Sequence, residues 1–186
     1  MQHLTGKKVA ILVTNGFEQV ELTEPREALE SEGAATDLVS PETQKVKAWS
    51  YTEWGDLFDV DVPLEAANPD AYDALLLPGG VMNPDHLRID EQAVAFVRAF
   101  FDARKPVAAI CHGPWTLINA GVASGRIMTS YPSLQADLTN AGSIWVNREV
   151  VVDQGLVTSR KPDDIPAFNR EMIMEFQQEK HSRQIA

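Results

Sequence analysis

Residues 106–114 read Pro-Val-Ala-Ala-Ile-Cys-His-Gly-Pro, and this stretch organises the rest of the sequence. A short apolar run ends at a potential nucleophile, Cys111, which is followed by a potential proton acceptor, His112. This pattern is typical of a buried strand that delivers a reactive side chain into a sharp turn before a helix. Such a turn requires small residues two positions before and after the nucleophile, and Ala109 and Gly113 meet that requirement. The stretch therefore predicts a nucleophile elbow, which is an arrangement found in enzymes.

The alternative interpretation of Cys111 is a buried, unreactive side chain, which is the commonest fate of a free cysteine. It is the only cysteine among 186 residues, so no internal disulfide is possible. The N-terminal segment lacks the charged start and apolar core of a signal peptide, and no stretch approaches the roughly 20 apolar residues of a membrane span. We therefore expect a cytoplasmic protein with a reduced thiol and no membrane partner.

The composition is that of an ordinary globular protein, with 44% hydrophobic and 23% charged residues. The length suits a single domain, which we expect to span residues 1–186. The formal net charge of −11 opposes the approach of a phosphate backbone, so we expect no nucleic-acid partner.

Uniformly apolar runs predict strands that are buried on both faces, which is a feature of parallel sheets. The segment 48–62, which contains four aromatic residues, predicts an irregular excursion with short strands that covers the core or forms a subunit contact. The first helix contains Pro25, which we expect to end or kink its first turn. The polar segment 177–186 is expected to fray. Strands are predicted at 9–13, 35–39, 74–77, 106–110, 127–130, 144–152 and 156–159, and helices at 17–32, 90–104, 114–120, 134–140 and from 165 onward.

Strands that alternate with helices predict an α/β sandwich with a mostly parallel central sheet. Ligands of such sheets bind at the carboxyl ends of the strands. Three of these ends carry residues of chemical interest, namely 15–18, 78–80 and 111–112.

Catalysis by Cys111 requires its thiolate form, and the helix N-terminus after Pro114 favours a depressed thiol pKa. The backbone N–H groups of Gly79, Gly80 and His112 are candidates to stabilise an oxyanion. The alternative for the two glycines is a tight turn without a catalytic role.

His112 would serve Cys111 only if the distortion of the elbow brings its imidazole round, because consecutive strand residues point to opposite sides. The alternative is a histidine held by backbone partners. Glu18 lies at the start of the first predicted helix. It is either an acidic residue that stabilises the helix start or a buried carboxyl that donates a hydrogen bond to the thiolate. His3, His86 and His181 show no metal-ligand spacing with His112, so we expect neither a metal nor another cofactor.

Five motifs, in order along the chain, resemble those of the ThiJ/PfpI family, in particular its intracellular protease I and general stress protein branch. The resemblance covers about residues 7–177, which we take as the core of the domain. The motifs are Asn15-Gly-Phe-Glu-Gln-Val-Glu-Leu, Ala74-Leu-Leu-Leu-Pro-Gly-Gly, Ala109-Ile-Cys-His-Gly-Pro, Thr129-Ser-Tyr and Asn147-Arg-Glu-Val-Val-Val-Asp.

The resemblance implies a flavodoxin-like three-layer sandwich related to class I glutamine amidotransferases. It implies that Cys111 is the nucleophile, that Glu18 hydrogen-bonds its sulfur and that His112 is the general base. In this branch an acid from a neighbouring subunit orients the histidine, and Asp85, after Pro84, matches its position. The resemblance therefore also implies a homodimer or a higher oligomer with a composite site.

The resemblance implies a stress-related cysteine hydrolase that acts on a small carbonyl compound or a peptide. The reaction would be peptide hydrolysis or the removal of aldehyde adducts, as in deglycases and glyoxalases. The alternative is a non-enzymatic stress protein or redox sensor in which Cys111 oxidises reversibly, since no second cysteine can form a disulfide with it. A nucleotide-binding module is less favoured because no G-x-G-x-x-G or P-loop follows Val13.

Overall fold

A computed structural model describes residues 2–178 of the chain, so most of the segment expected to fray, 179–186, lies outside the described residues. The strands are β1 (Lys8–Leu12), β2 (Ala35–Ser40), β3 (Lys45–Ser50), β4 (Glu53–Asp59), β5 (Val62–Pro63), β6 (Ala74–Leu77), β7 (Val107–Ile110), β8 (Ile127–Met128), β9 (Ile144–Trp145), β10 (Val150–Asp153) and β11 (Leu156–Ser159). The α-helices are α1 (Gln19–Ser31), α2 (Met82–Leu87), α3 (Glu91–Asp102), α4 (Pro114–Asn119), α5 (Gln135–Asn140) and α6 (Ile165–Phe176).

The centre of the molecule is a seven-stranded sheet with the strand order β10-β11-β7-β6-β1-β2-β5. Every neighbouring pair is parallel except β10 with β11, which form an antiparallel hairpin at one edge. The predicted α/β class with a mostly parallel sheet is therefore confirmed.

The apolar run of β1 shows why the sheet lies in the middle of three layers. Ala10 and Leu12 belong to one apolar cluster, which also contains residues of α3 and α4. Val9 and Ile11 belong to a second cluster, which contains residues of α1 and α6. Because successive strand side chains point to opposite faces, a continuous apolar run contributes to both clusters. Each fully buried aliphatic side chain contributes about 1.5–3 kcal/mol relative to an exposed one.

The short strands predicted within 48–62 are present, and two of them pair as a regular element that the sequence did not predict. β3 and β4 form an antiparallel hairpin with a register shift between Lys47 and Trp49. The rings of Trp49 and Trp54 pack edge to face across it, with centroids 5.4 Å apart. The hairpin is joined to the start of α1, since the N–H of Trp49 donates to Phe17 O at 2.7 Å. It therefore lies beside the carboxyl end of β1.

Three further expectations need correction. α1 continues through Pro25, which is buried inside the helix and neither ends nor restarts it. The segment 144–152 is not one strand, because β9 pairs with β8 in a separate two-stranded sheet while β10 joins the central sheet. No helix was predicted at α2, which has six residues and a proline inside it. Among the described helices, none is long and apolar enough to cross a membrane.

Candidate active site

The carboxyl ends of β1, β6 and β7 converge on one cavity of about 720 Å³. The β3–β4 hairpin and the loop before α6 also contribute to its walls. This is the location that the parallel sheet predicts for a ligand site. The lining residues are Gly16, Glu18, Glu21, Trp49, Tyr51, Gly80, Val81, Met82, Cys111, His112, Tyr131, Ser133, Lys161, Pro162 and Asp163.

Cys111 occupies the strained turn that the sequence predicts. Its φ is +62°, a left-handed conformation that non-glycine residues seldom adopt. Two backbone hydrogen bonds hold this conformation, from Cys111 N–H to Ser159 O at 3.0 Å and from Tyr131 N–H to Cys111 O at 2.8 Å. A Cβ on Gly113 would lie 2.5 Å from Leu77 O, so only glycine fits there. Strain of this kind costs about 1–3 kcal/mol and is typical of functional sites.

The carboxyl beside the thiol belongs to Glu21, so the assignment of that role to Glu18 is wrong. Glu21 is fully buried, and its carboxyl interacts with the Cys111 thiol strongly enough to affect the pKa of both groups. Its Oε2 accepts the N–H of Gly79 at 2.9 Å. Glu18 precedes α1 in an extended conformation and instead accepts the N–H of Tyr51 on Oε1 at 3.1 Å. It lines the cavity, and burial raises its pKa.

A helical signal could have identified Glu21. The buried residues of α1 include Leu22, Pro25 and Leu29, and Glu21 lies one turn before Pro25 on the same face. A carboxyl on the apolar face of a helix that opens onto a nucleophile is therefore the better candidate for a buried acid.

Burial raises the pKa of Glu21 to about 8, so this carboxyl holds a proton at neutral pH. Its Oε1 has no nitrogen or oxygen partner among the described residues. A protonated carboxyl can therefore donate its O–H toward sulfur. Burial and the neighbouring Glu21 carboxyl also raise the pKa of the Cys111 thiol, so the expectation of a depressed thiol pKa is wrong. The resting pair of Glu21 and Cys111 holds both protons.

The imidazole of His112 reaches the thiol, as the elbow geometry requires. Its Nδ1 lies 3.2 Å from Cys111 Sγ, and its Nε2 lies 3.3 Å from Ser133 Oγ. The ring stacks on Tyr131 with centroids 4.7 Å apart. Burial lowers the pKa of His112 to about 4, so the ring is neutral at pH 7 and can accept a proton. Neither the contact of Ser133 nor the stacking of Tyr131 was predicted from the sequence.

Of the three predicted backbone donors, two face the sulfur. Hydrogen bonding by the backbone N–H groups of Gly80 and His112 favours the thiolate, although burial outweighs this effect on the pKa of Cys111. The N–H of Gly79 is engaged by Glu21 and is not available to an oxyanion, so that part of the prediction is wrong. Gly79 is required for another reason, because a Cβ there would lie 2.5 Å from Glu21 Oε2 and 2.7 Å from Cys111 Cβ.

Asp85 lies on α2 with its side chain exposed. Within residues 2–178 its carboxylate makes no hydrogen bond or ion pair, and Nε2 of His112 contacts Ser133 instead. One chain therefore does not bring Asp85 to His112. The described residues also contain no group of three His, Cys, Asp or Glu side chains placed to hold a metal ion.

The model of the DJ-1/PfpI family matches residues 7–175, which include every element that lines the cavity. The chain belongs to the DJ-1/PfpI family. A flavodoxin-like α/β sandwich is the fold of this family's known structures, and that prediction is confirmed.

Relatives in the DJ-1/PfpI family align over almost the whole chain. General stress protein 18 of Bacillus subtilis (strain 168) is 46% identical over 169 residues, which cover 90% of this chain and 96% of that protein. Deglycase PH1704 of Pyrococcus horikoshii is 44% identical over 166 residues, which cover 89% and 97%. The crystal structure of Drosophila melanogaster DJ-1beta superimposes with a TM-score of 0.84 at 27% identity, covering 92% of this chain and 90% of that one.

Proposed function

We propose that this protein is a cysteine-dependent hydrolase in which Cys111 attacks a carbonyl carbon. The observation that carries the proposal is the contact between Sγ of Cys111, on its strained turn, and the neutral Nδ1 of His112 at 3.2 Å. A nucleophile within reach of a neutral base is the arrangement that covalent catalysis requires.

The reaction begins with a protonated thiol, so a proton must leave as the new bond forms. The S–C bond forms while the thiol proton passes to Nδ1 of His112, and the carbonyl π electrons move to oxygen. The N–H groups of Gly80 and His112, which face the sulfur, then stabilise the oxyanion. For a peptide, collapse breaks the C–N bond, and the amine leaves with the proton from His112. Water then hydrolyses the thioester and regenerates Cys111.

Removal of an aldehyde adduct would begin with the same attack on the carbonyl of the adduct. The name of the deglycase relative supports this reaction, and the general stress protein relative supports a stress-related role. The cavity of about 720 Å³ is larger than a free small aldehyde needs. Its size suits a peptide segment or a modified side chain.

We further propose that a second copy of the chain completes the site through its Asp85. The pKa of His112 is lowered to about 4 by burial, so the isolated chain holds a weak base. A carboxylate at Nε2 would raise that pKa and orient the ring. The exposed position of Asp85 on α2 leaves its carboxylate available to another subunit.

Reversible oxidation of Cys111 is a second candidate function. The adjacent Glu21 carboxyl and the backbone N–H groups at the sulfur could stabilise a sulfenic acid, and the sequence contains no second cysteine to form a disulfide with it. We place either function in the cytoplasm, where thiols are kept reduced.

The test of the hydrolase proposal compares wild type with Cys111→Ala. Methylglyoxal, a methylglyoxal-treated peptide and the same untreated peptide serve as substrates. We expect turnover of at least one substrate by wild type and a loss of at least about 100-fold in the variant, because no nucleophile remains. Circular dichroism and the melting temperature establish that the variant is folded. Equal turnover by both proteins would contradict the proposal, while peroxide oxidation without any turnover would favour the redox function.

The test of the composite site mixes two inactive variants, Asp85→Asn and Cys111→Ala. Random exchange in a two-fold dimer would complete about one site in four. We expect turnover to recover toward that fraction after mixing. Absence of recovery, when mass spectrometry shows that subunits have exchanged, would restrict the site to one chain.

A further inference from the structure

Asn83 is a fully buried polar residue of α2 that the proposed reaction does not use. Its Oδ1 accepts the N–H of Thr14 at 2.7 Å. Its Nδ2 donates to Pro78 O and to Gly79 O, each at 3.1 Å. Since a peptide N–H can only donate and a carbonyl can only accept, these partners fix the orientation of the amide. One side chain thus joins the end of β1 to two successive peptides after β6.

Those two peptides carry the N–H groups that face Glu21 and Cys111. In a trans peptide, the carbonyl and the following N–H point in opposite directions. The Pro78 carbonyl is held by Asn83, and the N–H of the same peptide, on Gly79, donates to Glu21. The Gly79 carbonyl is also held by Asn83, and the N–H of that peptide, on Gly80, faces both Cys111 and the carboxyl of Glu21.

We propose that Asn83 is a positioning residue that aims the Gly79 and Gly80 N–H groups at the carboxyl of Glu21 and the sulfur of Cys111. Successive N–H groups that point to one side form a concave site for anions. This inference rests on the proposed function in one respect, which is that an anion forms at the sulfur or on a bound carbonyl oxygen.

The need for such a residue follows from the two glycines. Gly80 has a φ of +76°, and a Cβ there would lie 2.5 Å from Gly16 O, so the close packing of this loop requires glycine. Glycine also has the greatest backbone freedom. Without its carbonyl partners, the Gly79–Gly80 peptide could rotate and present an oxygen to the sulfur, which would disfavour the thiolate. The N–H of Glu18 contributes a second, longer contact to Gly79 O, at 3.3 Å.

The experiment measures iodoacetamide alkylation of Cys111 against pH, in wild type and in Asn83→Leu. Leucine resembles asparagine in shape and has no donor. Loss of the aimed N–H should raise the alkylation midpoint by about one pH unit, and so slow alkylation about tenfold at fixed pH below the midpoint. The plateau rate at high pH should stay within about twofold, because it reports access to the thiol. Ser143→Ala, which removes a buried hydrogen bond to Leu138 O, is the control for lost stability and should leave the midpoint unchanged.

A measurement on wild type does not depend on the folding of any variant. The ¹H–¹⁵N resonance of Gly80 should show a step at the midpoint of Cys111 alkylation, separate from a step near pH 8 caused by Glu21, because its N–H contacts both the sulfur and that carboxyl. A Gly80 resonance that does not titrate with the thiol, or an unchanged midpoint in Asn83→Leu, would overturn the proposal. Neither the alkylation midpoint nor the Gly80 resonance needs a substrate. If the hydrolase proposal alone failed, both expected results would therefore stay the same.

Discussion

The floor and the rim of the cavity differ in how deeply their residues are buried. The floor, defined as Glu21, Gly80, Cys111 and His112, is buried, and at most 7% of any of its three larger residues is exposed. The rim, defined as Tyr51, Val81, Lys161 and Asp163, is partly or largely exposed, with Tyr51 at 65% and Val81 at 57%. The floor therefore sets the protonation and geometry of the thiol, while the rim is where a substrate of the proposed reaction would first be contacted.

The largest loss of turnover is expected when a methyl group is added at Gly79, next to the floor residues Glu21 and Cys111. In Gly79→Ala the new Cβ would lie 2.5 Å from Glu21 Oε2, 2.7 Å from Cys111 Cβ and 2.8 Å from Ile110 O. We expect a loss of about 1–3 kcal/mol in the free energy of unfolding and near-complete loss of turnover, since Cys111 must move away from Glu21 and from its position beside His112. Urea denaturation and a turnover assay measure the two effects.

Gly125→Ala is the matched control for Gly79→Ala. The Cβ at Gly125 meets no atom within 4 Å, although its φ of +77° makes alanine unfavourable. We expect a smaller loss of stability, about 1 kcal/mol, with turnover unchanged. Equal losses of turnover in both variants would show that the floor is no more sensitive than an open turn.

The effect expected for Glu21→Gln is on the free energy of unfolding, and it depends on pH. The folded-state pKa of Glu21 is about 8, raised by burial from 4.5. Below pH 4.5 both folded and unfolded chains hold the proton, so Glu21 imposes no penalty there. Between pH 4.5 and about 8 the unfolded chain releases its proton while the folded chain keeps it, and stability falls. The full penalty, about 3–5 kcal/mol, is present above pH 8 and should be absent in the variant. Urea denaturation from pH 4 to 9 measures it.

Glu18→Gln is the matched control, because Glu18 is less deeply buried and does not contact the sulfur. Its stability profile should stay closer to that of wild type. Glu21→Gln should also lower the midpoint of Cys111 alkylation, since the Glu21 carboxylate raises the pKa of the thiol. A larger change in that midpoint in Glu18→Gln than in Glu21→Gln would reverse the assignment of the two carboxyls.

The smallest effect is expected at the rim. Tyr51→Ala removes an exposed ring from the cavity wall but keeps the N–H that Glu18 accepts. We expect KM to rise about fivefold with kcat unchanged, which is the signature of lost ground-state binding. Leu57→Ala on the same hairpin is the control, since Leu57 is equally exposed but does not line the cavity. A fall in kcat in Tyr51→Ala would place part of the chemistry at the rim.

The sequence predicted the floor better than the rim for a physical reason. The strands at Val9 and Leu75 are uniformly apolar, and the elbow at Cys111 has local steric requirements, so short patterns identify them. The motif contains both Glu18 and Glu21, and only the period of the apolar face of α1, which includes Glu21, separates the two carboxyls. The approach of Ser133 to His112 is a tertiary contact that no local pattern reports.

The β3–β4 hairpin and α2 follow the same rule. The β3–β4 hairpin has few polar turn signals and an irregular register, so its aromatic residues resemble those of a loop. α2 has only six residues and includes Pro84, so it shows no helical period. Both elements are stabilised by contacts with distant parts of the chain, such as those of Trp49 with Phe17 and of Asn83 with Thr14.

The cavity is assembled from parts of the chain that are far apart in sequence, from Gly16 to Asp163. Contacts of such long range form late in folding, because their loop-closure entropy must be overcome first. In the unfolded chain, Cys111 is a thiol with an ordinary pKa near 8.5 and no buried carboxyl beside it. The rate at which Cys111 is alkylated therefore distinguishes the unfolded chain from the folded one. Measured at successive times during refolding, this rate would show when the site forms.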